Sequence, residues 1–364
     1  MTKNLRRVLV RALLTPLFAA PLGVLAQAGT APLKVGFVYV TPVGQAGWSY
    51  QHDLGRQAME RALGAQVTST VVEAVAEGPD AERVMRDLAR QGHRLIFATS
   101  FGYLEGALRV AAEFPDVRIE HTGGFKTRAN LNTYNARIYE SRWLAGRLAA
   151  LNSKNGVAGY VAGFPVPEVV QGINAFALGM RSVNPKAEVR VVWLQSWFDP
   201  PREREAALAL KNQGADVLTN HTASPAVALA AEELGVKLIA NQSDMRRFAP
   251  KAQLGAVTYQ WGDYYTRVAR AVIAGTWAAQ PVWGGIGEGM TDLAFIDGAL
   301  PPTQRAGIDA ARADLVARRR QVFAAPLDDN GGRARLAQGV LADDAIAAMD
   351  WFVQGVVGSV PASR

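Results

Sequence analysis

The sequence VGFVYVTPVGQAGWSYQHD occupies residues 35–53 and decides the fold. Its first six residues are an apolar run of strand length, a loop with Pro42 and glycines follows, and a helical pattern begins near Ser49. A strand, a loop and a helix in this order form the first unit of an open α/β sheet. Ligands of such sheets bind beyond the carboxyl ends of the strands, which is where Trp48 lies.

The indole of Trp48 and the polar residues beside it suit a flat ligand that needs a stacking face and a few hydrogen bonds. A single Trp in such a loop is more often a packing residue at the edge of a domain. The stretch alone therefore leaves two interpretations of Trp48, a packing residue or a ligand contact.

Strand-like and helix-like segments alternate twice along the chain, with a restart near Gly156. This rhythm predicts the α/β class, with two doubly wound parallel-sheet lobes, a hinge that the chain crosses more than once, and a ligand cleft between the lobes. We expect the first lobe to contain residues 30–154 and about 262–280. We expect the second lobe to contain residues 155–261 and about 281–340.

Three segments carry weaker patterns. Residues 130–137 have the composition of a polar connection, and residues 283–296 that of a hairpin or strand pair interrupted by glycines. Residues 341–364 are predicted to form a C-terminal helix whose lobe the sequence does not specify.

The first residues of the chain predict secretion. Basic side chains precede an apolar segment, residues 12–26, that is too short and too often interrupted by proline to span a bilayer comfortably. Small residues near Ala26 match a signal cleavage pattern. We therefore expect residues 1–26 to be a signal peptide and the mature protein to be periplasmic, with no direct membrane insertion.

Charge and cysteine content exclude several classes of function. The chain has 39 Lys and Arg against 32 Asp and Glu, and four of the basic residues lie in the predicted signal peptide, which leaves 35 against 32. These charges alternate along helical patterns, so no nucleic acid partner is predicted. The absence of Cys excludes disulfides, a Cys nucleophile and a lipid-modified Cys at the cleavage point.

The loops after the predicted strands contain aromatic and polar residues in a recurring combination. Gathered at one cleft, they would give aromatic walls with a few polar contacts, which suits a planar heterocycle. The predicted ligand-binding residues are Trp48, Ser49, Tyr50, Asp53, Phe101, Gly102, Phe164, Trp197, Asn220, Asp244 and Trp261. The same loops also contain Tyr103, Pro165, Glu168, Phe198, Asp199, His221, Thr222 and Ser243.

No pattern in the chain indicates an enzyme. The four His residues show no metal-ligand spacing, and the nucleophile-elbow, phosphate-loop and dinucleotide-binding motifs are absent from the sequence. Residues 284–289 are rich in glycine but lack a following helix that would direct their amides at a phosphate. We predict no catalytic residue, no metal and no cofactor.

Several longer motifs resemble one known family. The chain is similar to the basic membrane protein family of periplasmic solute-binding proteins, the purine- and nucleoside-binding components of ABC importers with a type I periplasmic-binding fold. The similarity extends over nearly the whole mature chain. The matching motifs are KVGFVY at 34–39, GWSYQHD at 47–53, AEGPDAER at 76–83, TSFGY at 99–103, YNARIYE at 134–140, VPEVVQGIN at 166–174 and VWLQSWFDP at 192–200.

This resemblance implies a ligand clamped between Trp48, where the family has a stacking Phe, and Trp197, the aromatic of the second lobe. It also implies that Asp244 contacts the ligand. The residues Gln45, Ser49 and those around Gln260 depart from the polar pattern with which nucleoside binders hold a ribose, so a free adenine-like base is expected rather than a nucleoside. The implied partners are a purine ligand and an inner-membrane ABC permease, with the protein acting as a monomer.

Three alternatives remain at this point. The ligand could be a nucleoside or another small polar heterocycle, or the protein could be a ligand sensor that acts on a membrane receptor. An enzyme acting on purines is the least favoured of these.

Overall fold

The computed structural model describes residues 31–362, so the predicted signal peptide at 1–26 lies outside the described residues. Strands and helices alternate along this part of the chain, as the α/β prediction requires. The strands are β1 (Leu33–Val38), β2 (Val67–Val72), β3 (Leu95–Ala98), β4 (Arg118–Thr122), β5 (Leu131–Ala136), β6 (Val157–Ala162), β7 (Glu188–Trp193), β8 (Val217–His221), β9 (Lys237–Gln242), β10 (Gln253–Tyr259), β11 (Val282–Gly284), β12 (Thr291–Ala294), β13 (Leu327–Asp328), β14 (Ala334–Leu336) and β15 (Val356–Val357).

The helices cover the faces of the two larger sheets. They are α1 (Trp48–Leu63), α2 (Pro79–Arg90), α3 (Leu104–Glu113), α4 (Ile138–Asn152), α5 (Pro167–Arg181), α6 (Pro200–Asn212), α7 (Ala226–Leu234), α8 (Gly262–Ile273), α9 (Pro302–Val316) and α10 (Asp343–Ala347). Short 3₁₀ turns follow α1, at Gly64–Gln66, and precede α3, at Phe101–Tyr103. No helix among residues 31–362 combines the length and the apolarity needed to cross a bilayer.

The first lobe is built on a sheet in the order β11-β5-β4-β3-β1-β2, in which every pairing is parallel. Its central strands β1 and β3 are apolar and almost fully buried, because helices cover both of their faces. Helices α1 and α8 pack together on one face, and α2 and α3 pack together on the other.

The second lobe is built on a sheet in the order β12-β10-β9-β8-β6-β7-β15. All pairings in it are parallel except that of β12 with β10. Helices α4 and α5 pack tightly against each other, and α6 packs on α7. The two parallel sheets with their helices confirm the predicted fold class.

The chain passes between the two sheets three times, at segments that lie side by side. The first passage is Arg137, between β5 and α4, and the second is residues 260–261, between β10 and α8. The third is residues 285–290, between β11 and β12. Arg137 is bonded to β11, the strand that leads into the third passage, because its backbone N–H donates to Gly284 O at 2.7 Å and its Nε donates to Trp283 O at 3.0 Å.

The structure differs from the expected lobe bounds at two elements. Helix α4, expected in the first lobe, packs on α5 and on the second sheet, and β11, expected in the second lobe, is an edge strand of the first sheet. Residues 283–296, predicted to form a hairpin or strand pair, do contain residues of two strands, β11 and β12, but the hairpin is wrong because the two strands belong to different sheets.

Two segments have a different secondary structure from the predicted one. Residues 130–137 contain the buried strand β5, whose polar side chains are hydrogen-bonded internally, for example Asn132 Nδ2 to Glu120 Oε2 at 3.1 Å. The predicted C-terminal helix is wrong beyond α10, because Asn174 on α5 bonds the backbone of Trp351 and Val353 and the short strand β15 then pairs with β7.

The tightest helix contact of the described fold is that between α4 and α5. A Cβ on Gly146 would lie 2.0 Å from Phe176 O, and a Cβ on Gly179 would lie 2.1 Å from Trp143 O. Each helix therefore requires glycine where the other helix's backbone approaches it. This contact packs α4, which begins directly after the first hinge segment, closely against α5.

We predict that Gly146→Ala lowers the free energy of unfolding by about 1–3 kcal/mol or more, because the added methyl group overpacks a backbone contact. The matched control is Gly307→Ala on α9, where a Cβ has nothing within 4 Å and should be neutral or stabilising by about 0.5–1 kcal/mol. Urea unfolding of both variants measures the difference. Equal stability of the two variants would contradict the close packing of α4 on α5.

Candidate functional site

A narrow cavity lies between the lobes, beyond the carboxyl ends of the central strands of both sheets. The centre of a water-sized sphere can move within a volume of about 50 Å³ in this cavity. The first lobe contributes Trp48 and Phe101, and the second lobe contributes Trp197. The cavity thus has an aromatic wall from each lobe and the dimensions of a slot.

Trp48 is the first residue of α1 and is held on two sides. Its Nε1 donates to Thr99 O at 2.6 Å, and its ring meets His52 edge to face at 4.4 Å and Tyr259 at 5.0 Å between ring centroids. Behind it, Trp261 stacks on Tyr259 at 5.2 Å. The indole plane is therefore fixed by its packing, and a ligand would meet a pre-organised surface.

Trp197 follows β7 and is positioned by Phe164, whose ring packs edge to face on it at 4.9 Å. A Cβ on Gly163 would lie 2.7 Å from Trp197 Cε3, so the loop after β6 lies directly against the indole. Trp197 Nε1 is buried and has no hydrogen-bond partner among residues 31–362. This N–H is a candidate donor to a ligand.

Carboxylates hold the cavity loops of both lobes in place. In the first lobe, Glu77 Oε1 accepts from Ser100 Oγ at 2.6 Å and from the backbone N–H of Gly102 at 3.0 Å. In the second lobe, the buried Glu203 accepts from Thr222 Oγ1 at 2.8 Å and from Ser224 Oγ at 2.7 Å. Because each loop is tied to its own lobe, the cavity walls move with the lobes rather than independently.

Glu168, at the start of α5, is the acidic group of the cavity. Its Oε1 accepts from Tyr259 OH at 2.7 Å, and its Oε2 accepts from Asn135 Nδ2 on the first lobe at 3.1 Å. Burial raises the pKa of this carboxyl, and the two hydrogen bonds together with the charge of Arg142 oppose that rise. A carboxylate has about four lone-pair positions, so it can accept further N–H groups from a ligand.

Three other lining residues have a buried polar atom without a partner among the described residues: Thr122 Oγ1, His221 Nδ1 and Gln242 Oε1. Burial lowers the pKa of His221 well below its ordinary range, and the guanidinium of Arg142 acts in the same direction. His221 Nε2 lies 3.9 Å from Glu168 Oε1, too far for a hydrogen bond. Gln242 has a φ of 66°, a backbone conformation that costs energy in a residue other than glycine.

Of the predicted ligand contacts, the structure therefore brings Trp48, Phe101 and Trp197 together at the cavity. Three others lie directly behind it. Phe164 supports Trp197, Trp261 is almost fully buried behind Trp48, and Ser49 Oγ bonds Thr41 Oγ1 at 2.7 Å, which positions a cavity residue.

The remaining predicted contacts lie elsewhere. Asp53 pairs with Arg56 at 2.6 Å inside the first lobe, Asn220 bonds Thr222 through its Nδ2, and Gly102 bonds Glu77 through its backbone. Tyr50 and Asp244 line a second, separate cavity, where Asp244 pairs with Arg246. The structure thus places these five residues outside the slot between the two Trp.

Glu168, His221 and Gln242 are cavity residues that the sequence did not select. Each follows or ends a strand of the second sheet, so the carboxyl-end rule pointed to the loops of Glu168 and His221. His221 and Gln242 are distinguished from their neighbours by burial together with an unpartnered polar atom, and Glu168 by its hydrogen bond across the cleft to Asn135. A single sequence shows neither signal. Among residues 31–362, no group of three or more acidic or His side chains could hold a metal ion.

The two lobes touch directly beside Trp48. Gly47 N donates to Ser243 Oγ at 3.0 Å, and Gln51 Nε2 donates to the same oxygen at 3.0 Å. A Cβ on Gly47 would lie 2.1 Å from Ala223 O, and the φ of Gly47 is 96°. These contacts across the cleft define the closed arrangement of the lobes.

Two α/β lobes, three hinge segments and an interlobe slot define the class of two-lobed substrate-binding proteins. The sequence matches the model of the Bmp family, described as ABC transporter substrate-binding protein PnrA-like, over residues 33–298. The chain belongs to this family. Membership implies a small-molecule ligand and a permease partner, and it makes the protein a binding protein rather than an enzyme.

Two relatives are similar along most of their length. A purine-binding protein of Brucella abortus (strain 2308) is 46% identical over 330 residues, which is 90% of this chain and 94% of the relative. A protein of Haloferax volcanii, named for glucose binding in an ABC transporter, is 37% identical over 90% of this chain and 81% of its own.

Solved structures show the same fold at lower sequence identity. An ABC transporter solute-binding protein from Aeropyrum pernix K1 aligns with a TM-score of 0.68 at 18% identity, covering 81% of this chain and 94% of the other. One from Conexibacter woesei aligns with a TM-score of 0.64 at 19% identity, covering 79% and 98%.

We predict a pH effect on stability from His121, at the end of β4 next to the cavity residue Thr122. Burial lowers its pKa to about 4 in the folded protein, below the ordinary 6.5 of an unfolded chain. The neutral ring therefore stabilises the fold above pH 6.5, and this contribution is lost as the pH falls toward 4. Between pH 7 and pH 5, wild type should lose about 2 kcal/mol more stability than His121→Gln.

Urea unfolding of both proteins at the two pH values measures this difference, and the other buried groups contribute to both proteins alike. Equal losses in wild type and variant would mean that His121 is not held neutral.

Proposed function

We propose that this protein is the periplasmic solute-binding component of an ABC importer, and that it binds a purine base of the adenine type in the interlobe slot. One observation carries the proposal. Trp48 and Trp197, from opposite lobes, line a single narrow cavity, and its lining residues include polar atoms that have no hydrogen-bond partner among the described residues, such as Trp197 Nε1 and Gln242 Oε1.

Flat aromatic ligands match this geometry. Stacking of a base on an aromatic side chain is worth about 1–3 kcal/mol, and a heterocycle between two indoles can use both of its faces. Trp197 Nε1 offers a donor, while Gln242 Oε1 and Glu168 offer acceptors. A purine carries both donor and acceptor atoms at its edge, so it can meet these groups within the plane of the slot.

A free base is preferred over a nucleoside within this proposal. A nucleoside-binding pattern would place polar contacts to the ribose near Gln45 and Asp244. In this protein both residues line the second cavity and not the slot. A ribose held without partners would leave buried hydroxyls unpaired, at a cost of about 1–3 kcal/mol. The purine-binding relative supports a purine ligand, and the glucose-named relative makes glucose the comparison compound.

Transport follows from the two-lobed design. A ligand that contacts both lobes favours their closed arrangement, and a permease in the inner membrane would accept that form. We further propose that the protein acts as a monomer without a cofactor. The predicted signal peptide supports a periplasmic location.

Calorimetric titration with adenine, guanine, hypoxanthine, their nucleosides and glucose tests the proposed function. At least one purine base should bind with a Kd below about 100 μM, a binding free energy of roughly −5.5 kcal/mol. Trp197→Ala should weaken binding by about 1–3 kcal/mol, since it removes one stacking face. The matched control is Trp193→Ala on β7, a partly buried Trp outside the cavity.

Binding of glucose and of no purine would reject the ligand assignment while leaving the family intact. Equal loss of affinity in Trp193→Ala and Trp197→Ala would instead reject the stacking role.

Closure of the two lobes depends on the absence of a side chain at Gly47. Gly47→Ala should weaken purine binding at least about tenfold, because the methyl group meets Ala223 O and holds the lobes apart. Gly44→Ala is the matched control, since Gly44 also has a positive φ, 56°, but open space around a Cβ. Small-angle scattering with saturating purine should show a larger radius of gyration for Gly47→Ala than for Gly44→Ala. Identical affinities and radii would show that this contact does not limit closure.

A further inference from the structure

A larger chamber of about 650 Å³ adjoins the slot at the mouth of the cleft. It shares three lining residues with the slot, Phe101, Gly123 and Glu168. The two spaces therefore lie next to each other, with Glu168 in the wall of both. A ligand that fills the slot would have one edge directed toward this chamber.

The chamber walls are mostly apolar and come from both lobes. On the first lobe, Phe125 is 70% exposed and lies 6.4 Å from Phe101 between ring centroids. On β11, Trp283 is held by Arg137, whose guanidinium lies 4.4 Å from its ring centroid. On the second lobe, the small residue Ala347 of α10 leaves the space open. An exposed aromatic beside a binding slot gives an apolar group a surface to bind.

The amide side chains in the chamber wall are already committed within the protein. Asn135 donates to Glu168 and accepts from the backbone N–H of Ala136 at 2.8 Å. Gln171 donates to Ile346 O at 2.7 Å. These two amides are therefore not free to bind a sugar, and although Thr127, Thr133 and Asp344 add polar groups, the wall as a whole is mostly apolar and favours an apolar group.

Glu168 adds a chemical constraint at the boundary. Its carboxylate has acceptor positions beyond those used by Tyr259 and Asn135. An exocyclic amine that carries one substituent keeps one N–H. That N–H can donate to Glu168 while the substituent extends past it into the chamber.

We propose that this site takes purines whose exocyclic amine carries an apolar substituent, with the base in the slot and the substituent in the chamber. This inference rests on the proposed function, because it requires a purine in the slot. It extends that function from free bases to N6-substituted adenines, and it assigns Phe125, Trp283 and Ala347 to substituent recognition.

The test is calorimetry with adenine, N6-benzyladenine and 9-benzyladenine. N6-benzyladenine should bind at least as tightly as adenine, and 9-benzyladenine at least about tenfold more weakly than N6-benzyladenine. Ala347→Trp, which fills the chamber, should weaken N6-benzyladenine at least about tenfold and change adenine less than twofold. Ala345→Trp is the matched control on the same helix, exposed but outside the chamber wall, and should change neither ligand.

The outcomes separate the two proposals. If no purine binds, the proposed function fails and this inference fails with it. If adenine binds but N6-benzyladenine binds more weakly, or if Ala347→Trp and Ala345→Trp act alike, the chamber assignment alone is overturned.

Discussion

Glu168 is held from both lobes at once, and the cleft is arranged around this carboxylate. Asn135 reaches it from β5, Tyr259 reaches it from β10, and its own place is at the start of α5, where the helix amides favour negative charge. An acid in an apolar cleft would otherwise be costly to ionise, and burial does raise its pKa. Tyr259 and the helix amides belong to the same lobe as Glu168, so Asn135 is the partner whose hydrogen bond to the carboxylate depends on closure.

The rest of the fold holds the residues around Glu168 in place. The close glycine contact of α4 with α5 leaves these two helices little room to shift against each other, and Glu77 and Glu203 tie the cavity loops to their own lobes. Within residues 31–362, the two lobes are connected by three short hinge segments. Motion is therefore expected as rotation of one lobe against the other, not as rearrangement of the cavity walls.

The sequence predicts the sheets well where strands are continuous apolar runs, as in β1 and β3, because such runs have few alternatives in an α/β chain. It fails for β5, whose Asn and Thr residues resemble a loop until Glu120 and Tyr265 are seen to bond Asn132 and Tyr134. The sequence also fails to predict the path of the C-terminal segment. Its path is fixed by Asn174, 175 or more residues away in sequence, and no local pattern records that contact.

The sequence likewise predicts one part of the candidate site and not the other. The carboxyl-end rule places Trp48 and Trp197 at one cavity, because strand ends meet there in any open α/β sheet. It does not distinguish a residue that faces the cavity from one that lies a layer behind. Trp261 and Trp48 both lie near strand ends. Trp261 is buried because it stacks on His52 and Tyr259, whereas Trp48 keeps one face free at the cavity.

A ligand can shift the lobes toward closure only by the difference between its affinities for the closed and open forms. A site confined to one lobe would bind equally well in both forms and would shift nothing, however tight it was. Trp48 and Trp197 belong to different lobes, and Glu168 gains Asn135 as a partner only across the cleft. Because one small slot is divided between the two lobes, a small ligand bound there can change the lobe arrangement that a permease would recognise.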